Sequence, residues 1–197
     1  MEGRKLNSNL DNPVDTYILN LFDYVSPYLK DLQMTPNKLT TISLFITIYG
    51  IYLISVKNYK MAAIYIFIGY MFDCFDGNFA RRYKMFSKFG DYYDHLSDIF
   101  KFIFILTMIY NSDIKRKSKI IFFSITSIFL LLSQIHLGCQ EIFYGKKSFL
   151  SILMHLCPSP NYINITRHFG CGTLYLVICI LIYNLDKLDR LLTFFNY

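Results

Sequence analysis

The sequence predicts an all-α, polytopic transmembrane helical bundle of five to six spans with an N-terminal interfacial amphipathic helix. Three observations predict it. Hydrophobic residues fill 54% of the 197 positions and charged residues 17%, against about 45–50% and about 25% in soluble domains. Mean hydropathy is +0.33. Apolar runs close to the roughly 20 residues needed to cross hydrocarbon recur along the chain. These features exclude a disordered chain and argue against an ordinary water-soluble domain. The net charge of +6 would suit nucleic acid, but this much apolar surface fits anionic lipid better, so no nucleic-acid partner is expected.

The elements follow in order. Met1 to Asn12 is polar, and no charged-then-apolar signal peptide opens the chain. Val14 to Leu32 places Tyr17, Ile18, Leu21, Phe22, Tyr24, Val25, Tyr28 and Leu29 at helical spacing among polar residues. That pattern predicts an amphipathic helix lying in the membrane interface. Residues 1–36 are therefore read as tail plus interfacial helix, and 37–197 as a transmembrane catalytic domain. Thr35-Pro36-Asn37 is a helix-start signal ahead of a first span, Leu39 to Val56. Met61 to about Ala80 is a second span whose last turns carry carboxylates, and Asp91 to Tyr110 a third whose first turns do. Ile120 to Leu137 is a clean fourth, and Thr173 to Tyr183 anchors a last span that could start near Ile163. Ser148 to Leu156 is apolar but short, a fifth span or a re-entrant piece, and Pro158 and Pro160 stop it. Tyr, with 17 copies and no Trp, supplies the interfacial aromatics.

A cytoplasmic N-terminus puts Arg81, Arg82, Lys84 and Lys88, and also Lys146 and Lys147, on the cytoplasmic side, as basic loops prefer. Lys115, Arg116, Lys117 and Lys119 oppose that orientation. The five cysteines are odd in number and lie mostly in apolar runs, so they read as small buried residues rather than a disulfide framework.

Ionisable groups at membrane depth are expensive and mark function. Asp73 and Asp76 are i,i+3 and Asp94 and Asp98 are i,i+4, so each pair shares a helix face. The short basic link between them turns the chain back and sets the two faces together. Four facing carboxylates require cations, and hard divalent ions with oxygen ligands, Mg²⁺ or Mn²⁺, are the natural choice. Two ions about 4 Å apart are a recurrent device in phosphoryl transfer. Gly77 and Ala80 remove bulk beside the carboxylates. Arg81, with Arg82 and Lys84, offers charge for a pyrophosphate, and Gly90 lets the third span start close to the second.

Asp73-x-x-Asp76-Gly77-x-x-Ala80-Arg81, eight residues, then Gly90-x-x-x-Asp94-x-x-x-Asp98, resembles the signature of the CDP-alcohol phosphotransferases at every position. With each residue at roughly one in 15, a chance match is of order 10⁻⁹ to 10⁻¹⁰. The resemblance implies an integral membrane enzyme that moves a substituted phosphate from a CDP-linked donor to an alcohol and releases CMP. It implies Asp73, Asp76 and Asp94 as metal ligands, and Asp98 near the second ion and as general base. Gly77, Ala80 and Arg81 would hold the nucleotide. It further implies a homodimer with the site open to the cytoplasm. An aspartate beside a dication is a weak base, so positioning is expected to carry much of the attack.

The expected donor is CDP-diacylglycerol and the product a phospholipid. The short chain, Phe75 and Tyr83 resemble phosphatidylinositol synthases, which suggests inositol, although Ile99 stands where those enzymes usually carry Arg. Ala80-Arg81-Arg82 and Asp94-His95 look somewhat like the choline and ethanolamine branch, which uses diacylglycerol as acceptor. A non-enzymatic divalent-cation transporter is the alternative of another class.

Other residues carry weaker signals. Lys101 falls on the Asp98 face, where it could pair with a carboxylate, touch phosphate or snorkel. Arg167 could contact acceptor or lipid phosphate, or simply anchor the membrane edge, as could Lys146 and Lys147. Asp91 reads as a helix-start residue and His95 as interfacial rather than a ligand. Cys74 has no partner base that would make it a nucleophile, and Asn164 is a glycosylation acceptor expected to be unused.

Overall fold

A computed structural model describes residues 3–145 and 149–194, and Lys146 and Lys147 lie outside the described residues. Every regular element among the described residues is helical. Helix α1 spans Pro13–Asp31, α2 Pro36–Ser55, α3 Tyr59–Arg82, α4 Lys88–Asn111 and α5 Arg116–Tyr144. After a 3-10 helix at Phe149–Leu156 come the short α6, Ile163–Thr166, then α7, Cys171–Tyr183, and α8, Leu185–Phe194.

Local chemistry sets the ends of these helices. The Asn12 side chain accepts from the backbone of Val14 and Asp15, and Pro13 takes the first turn of α1. Thr35 and Pro36 do the same for α2, and Ser87 caps α4 through Gly90 N. The start of α5 has no cap from its own Lys115 side chain. Instead Asp189 on α8 accepts from Lys115 N at 2.8 Å and Ser118 Oγ at 2.6 Å.

Helices α2 and α3 form the tightest pair in the bundle, and α7 packs on the other side of α3. A Cβ at Gly69 would lie 2.1 Å from Thr47 Oγ1 and 3.1 Å from the Ser43 carbonyl, so glycine is what permits this approach. The shared core holds Leu39, Ile54, Ile66, Phe79, Ile105, Phe122, Ile178 and Ile182. Helix α4 leans chiefly on α2 rather than on α3, which leaves a gap between the ends of α3 and α4.

Helix α1 lies along this bundle. Its Phe22 ring stacks on Phe75 of α3 at 4.4 Å, and Ile18 joins the same core. Its other face leaves Tyr17, Leu21, Tyr24 and Tyr28 exposed, an apolar and aromatic stripe.

Among the described residues, three segments are long and apolar enough to cross a membrane: Pro36–Ser55, Arg116–Tyr144 and Pro160–Tyr183. The last is interrupted by α6, a 3-10 turn at Arg167–Phe169 and Gly170 before the continuous helix begins at Cys171. The chain is an integral, multi-pass membrane protein. One expectation is corrected: Cys139 and Cys157 form a disulfide, which ties the 3-10 segment to α5. Both sulfurs are brought together because the chain after α5 folds back against it, with Leu153 O beside Gly138. Cys74, Cys171 and Cys179 are free thiols.

Candidate active site

The four aspartates converge where α3 and α4 both lean on α2. One carboxylate oxygen from each of Asp73, Asp76 and Asp94 lies within 4.8 Å of the others. Asp76 is buried and its Oδ2 accepts from Thr40 Oγ1 of α2 at 2.5 Å. Asp94 Oδ1 is buried without a hydrogen-bond partner. A buried, unpartnered carboxylate oxygen is unfavourable unless something cationic meets it. Three carboxylates with oxygens within reach of one another, one of the three residues also carrying an orphaned buried oxygen, fit a hard divalent cation.

Asp98 lies one turn deeper. Its Oδ1 is 2.9 Å from Lys101 Nζ, which also binds Asp73 and Ser43 Oγ, the latter at 3.0 Å. Lys101 is buried and does not snorkel: its ammonium is the internal counter-charge of Asp73 and Asp98. Two carboxylates facing inward in an apolar bundle need such a charge.

A cavity of about 390 Å³ opens onto Asp76 and Asp94 of this cluster, with Asp73, Asp98 and Lys101 off its wall, and its size suits a small ligand. Helix α3 contributes Asp76, Gly77, Ala80 and Arg81 to its wall, and α4 contributes Gly90, Asp91, Asp94 and His95. Pro36, Asn37 and Thr40 of α2 close a third side, and Lys5 and Tyr144 face in as well. The expected nucleotide-binding residues Gly77, Ala80, Arg81 and Gly90 thus share one wall system. Gly90 performs a different packing task from the one expected. A Cβ there would lie 2.9 Å from Asn37 Oδ1, so it brings α4 close to α2, not to α3.

The remaining expected contacts fall elsewhere. Arg82 Nη1 pairs with Asp23 of α1 at 2.8 Å, and Lys84 occupies the left-handed turn after α3; neither lines the cavity. Arg167 also lies off the cavity wall and donates to the carbonyls of Asn9 and Ser8.

Several cavity residues have roles that the sequence does not announce. His95 was expected to turn away, but its ring lies within 4.8 Å of Asp94 and Asp98 ligand atoms and 3.5 Å from Asp91. The Asp91–His95 i,i+4 spacing was the available signal. Lys88 joins Arg81 and Lys5 as a third cation on the wall, and Thr40, Asn37 and Lys5 carry no local pattern that announces them.

A family model for the CDP-alcohol phosphatidyltransferases matches residues 33–193. The chain belongs to the CDP-alcohol phosphatidyltransferase family. These are phospholipid-synthesis transferases that use divalent cations, in agreement with the acidic cluster just described. Among curated proteins, the archaetidylinositol phosphate synthase of Pyrococcus horikoshii is 37% identical over 70 residues, 36% of this chain and 37% of that protein. The chain therefore aligns with little more than a third of that relative's length. No solved structure matches.

Proposed function

We propose that this chain transfers the phosphatidyl group of CDP-diacylglycerol to an alcohol and releases CMP. The observation that carries the reading is the Asp73, Asp76 and Asp94 cluster, with Asp98 beside Asp94, of which Asp76 and Asp94 line a cavity also walled by Gly77, Ala80 and Arg81. Two Mg²⁺ or Mn²⁺ ions held there would neutralise charge on the pyrophosphate and the leaving CMP. Asp73, Asp76 and Asp94 would hold the first ion, and Asp94 and Asp98 would face the second. Arg81 on the cavity wall supplies a fixed positive charge for the donor phosphates. Asp98, ion-paired with Lys101 at 2.9 Å, would orient the acceptor hydroxyl and take its proton. In-line approach to phosphorus then depends on the fixed angle between α3 and α4.

We read α2, α3, α4, α5 and α7 as five spans. The 3-10 segment Phe149–Leu156 has eight residues, which at about 2.0 Å each covers roughly 16 Å, half a bilayer core. It is a re-entrant piece. The exposed Tyr17, Leu21, Tyr24 and Tyr28 stripe supports α1 as the interfacial helix. Five spans with the N-terminus in the cytoplasm put the cavity on the cytoplasmic side. A homodimer is the expected assembly. Inositol is the favoured acceptor, supported by the name of the archaeal relative and by the resemblance of Phe75 and Tyr83 to phosphatidylinositol synthases.

The test is CMP release from CDP-diacylglycerol by membranes carrying the chain, against a panel that includes inositol, glycerol phosphate and serine. Turnover with one alcohol and none without supports the reading. Cation flux into vesicles with no CMP from any alcohol would replace it with transport.

A further inference from the structure

The polar segment Gly3–Asp11 is not a loose tail. The Gly3 carbonyl accepts from Arg81 Nε at 2.7 Å. The carbonyls of Ser8 and Asn9 accept from Arg167, and Asn12 Nδ2 donates to Arg167 O at 2.6 Å and Thr173 Oγ1 at 2.8 Å. The segment is thereby strapped across α3, α5 and the start of α7. Between these ties, Lys5 enters the cavity wall beside Arg81 and Tyr144. Its ammonium pairs with Glu141 of α5 and lies 5.1 Å from the centre of the Tyr144 ring. Glu141 is buried and Lys5 nearly so.

We propose that Lys5 is a phosphate-binding residue of the active site, delivered by this N-terminal strap, with Glu141 as its resting counter-ion. The inference rests on the proposed reaction. An ammonium has three N–H donors, and Glu141 takes one, which leaves two for an incoming anion. The aspartates supply the negative floor, which binds dications. The strap and Arg81 supply a positive wall at the same opening, where substrate phosphate oxygens must pass. The phosphate belongs either to the donor pyrophosphate or to a phosphorylated acceptor, and one experiment separates the two.

The full-length protein, purified in detergent with Mg²⁺, is titrated calorimetrically with CDP, then with inorganic phosphate on the CDP-saturated protein. Lys5→Met is expected to weaken CDP at least tenfold, and Lys5→Arg to stay within about threefold of the parent. That result assigns the donor pyrophosphate. Weakening of inorganic phosphate alone assigns a phosphate on the acceptor. No change in either titration overturns the proposal. If Lys5→Met does not fold, Glu141→Gln decides: freed from its counter-ion, Lys5 should bind CDP about threefold more tightly, and unchanged or weaker binding overturns the proposal. Failure of the parent protein to bind CDP at all would instead defeat the proposed reaction.

Discussion

Lys101 Nζ lies 2.9 Å from Asp98 Oδ1, buried between the two helices that carry the acidic cluster. The same ammonium binds Asp73, so one residue holds carboxylates from both α3 and α4. Removing one partner from a buried charge pair typically costs about 3–5 kcal/mol. Lys101→Met is therefore expected to lower the thermal stability of the metal-free protein in detergent. Mg²⁺ or Mn²⁺ should restore more stability to the variant than to the parent. Equal melting curves for both proteins in chelator would show that Lys101 has no such role.

Thr40 aims Asp76. Its hydroxyl donates to Oδ2 at 2.5 Å from the first turns of α2. Groups that orient a metal ligand commonly contribute 10–100-fold to metal affinity. Thr40→Val keeps the shape and removes the donor. It should weaken Mn²⁺ binding about tenfold, read by electron paramagnetic resonance of free Mn²⁺, and lower stability in chelator by about 1–3 kcal/mol because buried Asp76 loses its donor.

Asp15 links folding to pH. Burial pushes its carboxyl up to about 7, helped by the neighbouring Asp11 and opposed by the hydrogen bond from Tyr70 Oη at 2.6 Å. Below about pH 4 the group is protonated in both folded and unfolded chains. Between about 4 and 7 the unfolded chain loses the proton and the folded chain keeps it, so stability falls as pH rises, by at most about 1.4 kcal/mol per unit. Above 7 the contribution is constant. Melting curves from pH 4.5 to 8 should show this decline, and Asp15→Asn should flatten it. An identical slope in the variant would contradict the assignment.

The α2–α3 contact has little slack. Gly69→Val would push a side chain into Thr47 and the Ser43 carbonyl. Overpacking of this kind costs about 1–3 kcal/mol. It would also shift Thr40 and Ser43, which sit on the same helix as the clash. Loss of Mn²⁺ affinity together with stability is expected.

The sequence made the acidic cluster legible because charge inside an apolar run has few benign explanations: Asp73, Asp76, Asp94 and Asp98 stand out against their neighbours. The long helices were legible from apolar length, to within a few residues at most ends. What escaped depends on contacts distant in the chain. Lys5 pairs with Glu141, 136 residues away in the chain, and nothing in residues 1–12 foretells that partner. An odd number of cysteines, mostly in apolar runs, reads as small buried residues, whereas the Cys139–Cys157 bridge depends on the chain folding back on α5. Helix α8 gives no apolar-run signal because Leu185–Phe194 mixes Asp, Lys and Arg with leucine in a short amphipathic segment. The position of Gly90 against Asn37 followed from α4 leaning on α2, a packing choice no local pattern encodes.

The most direct test is single-turnover CMP release from CDP-diacylglycerol by the purified chain, with and without Mg²⁺, in the parent and in Asp76→Asn, Asp94→Asn and Asp98→Asn. The expected result is metal-dependent release in the parent and a loss of at least a thousandfold in each variant, with folded protein recovered in every case. Release that persists in chelator, or survives Asp76→Asn and Asp98→Asn, would contradict the view that these aspartates cage the ions at which the phosphate is transferred.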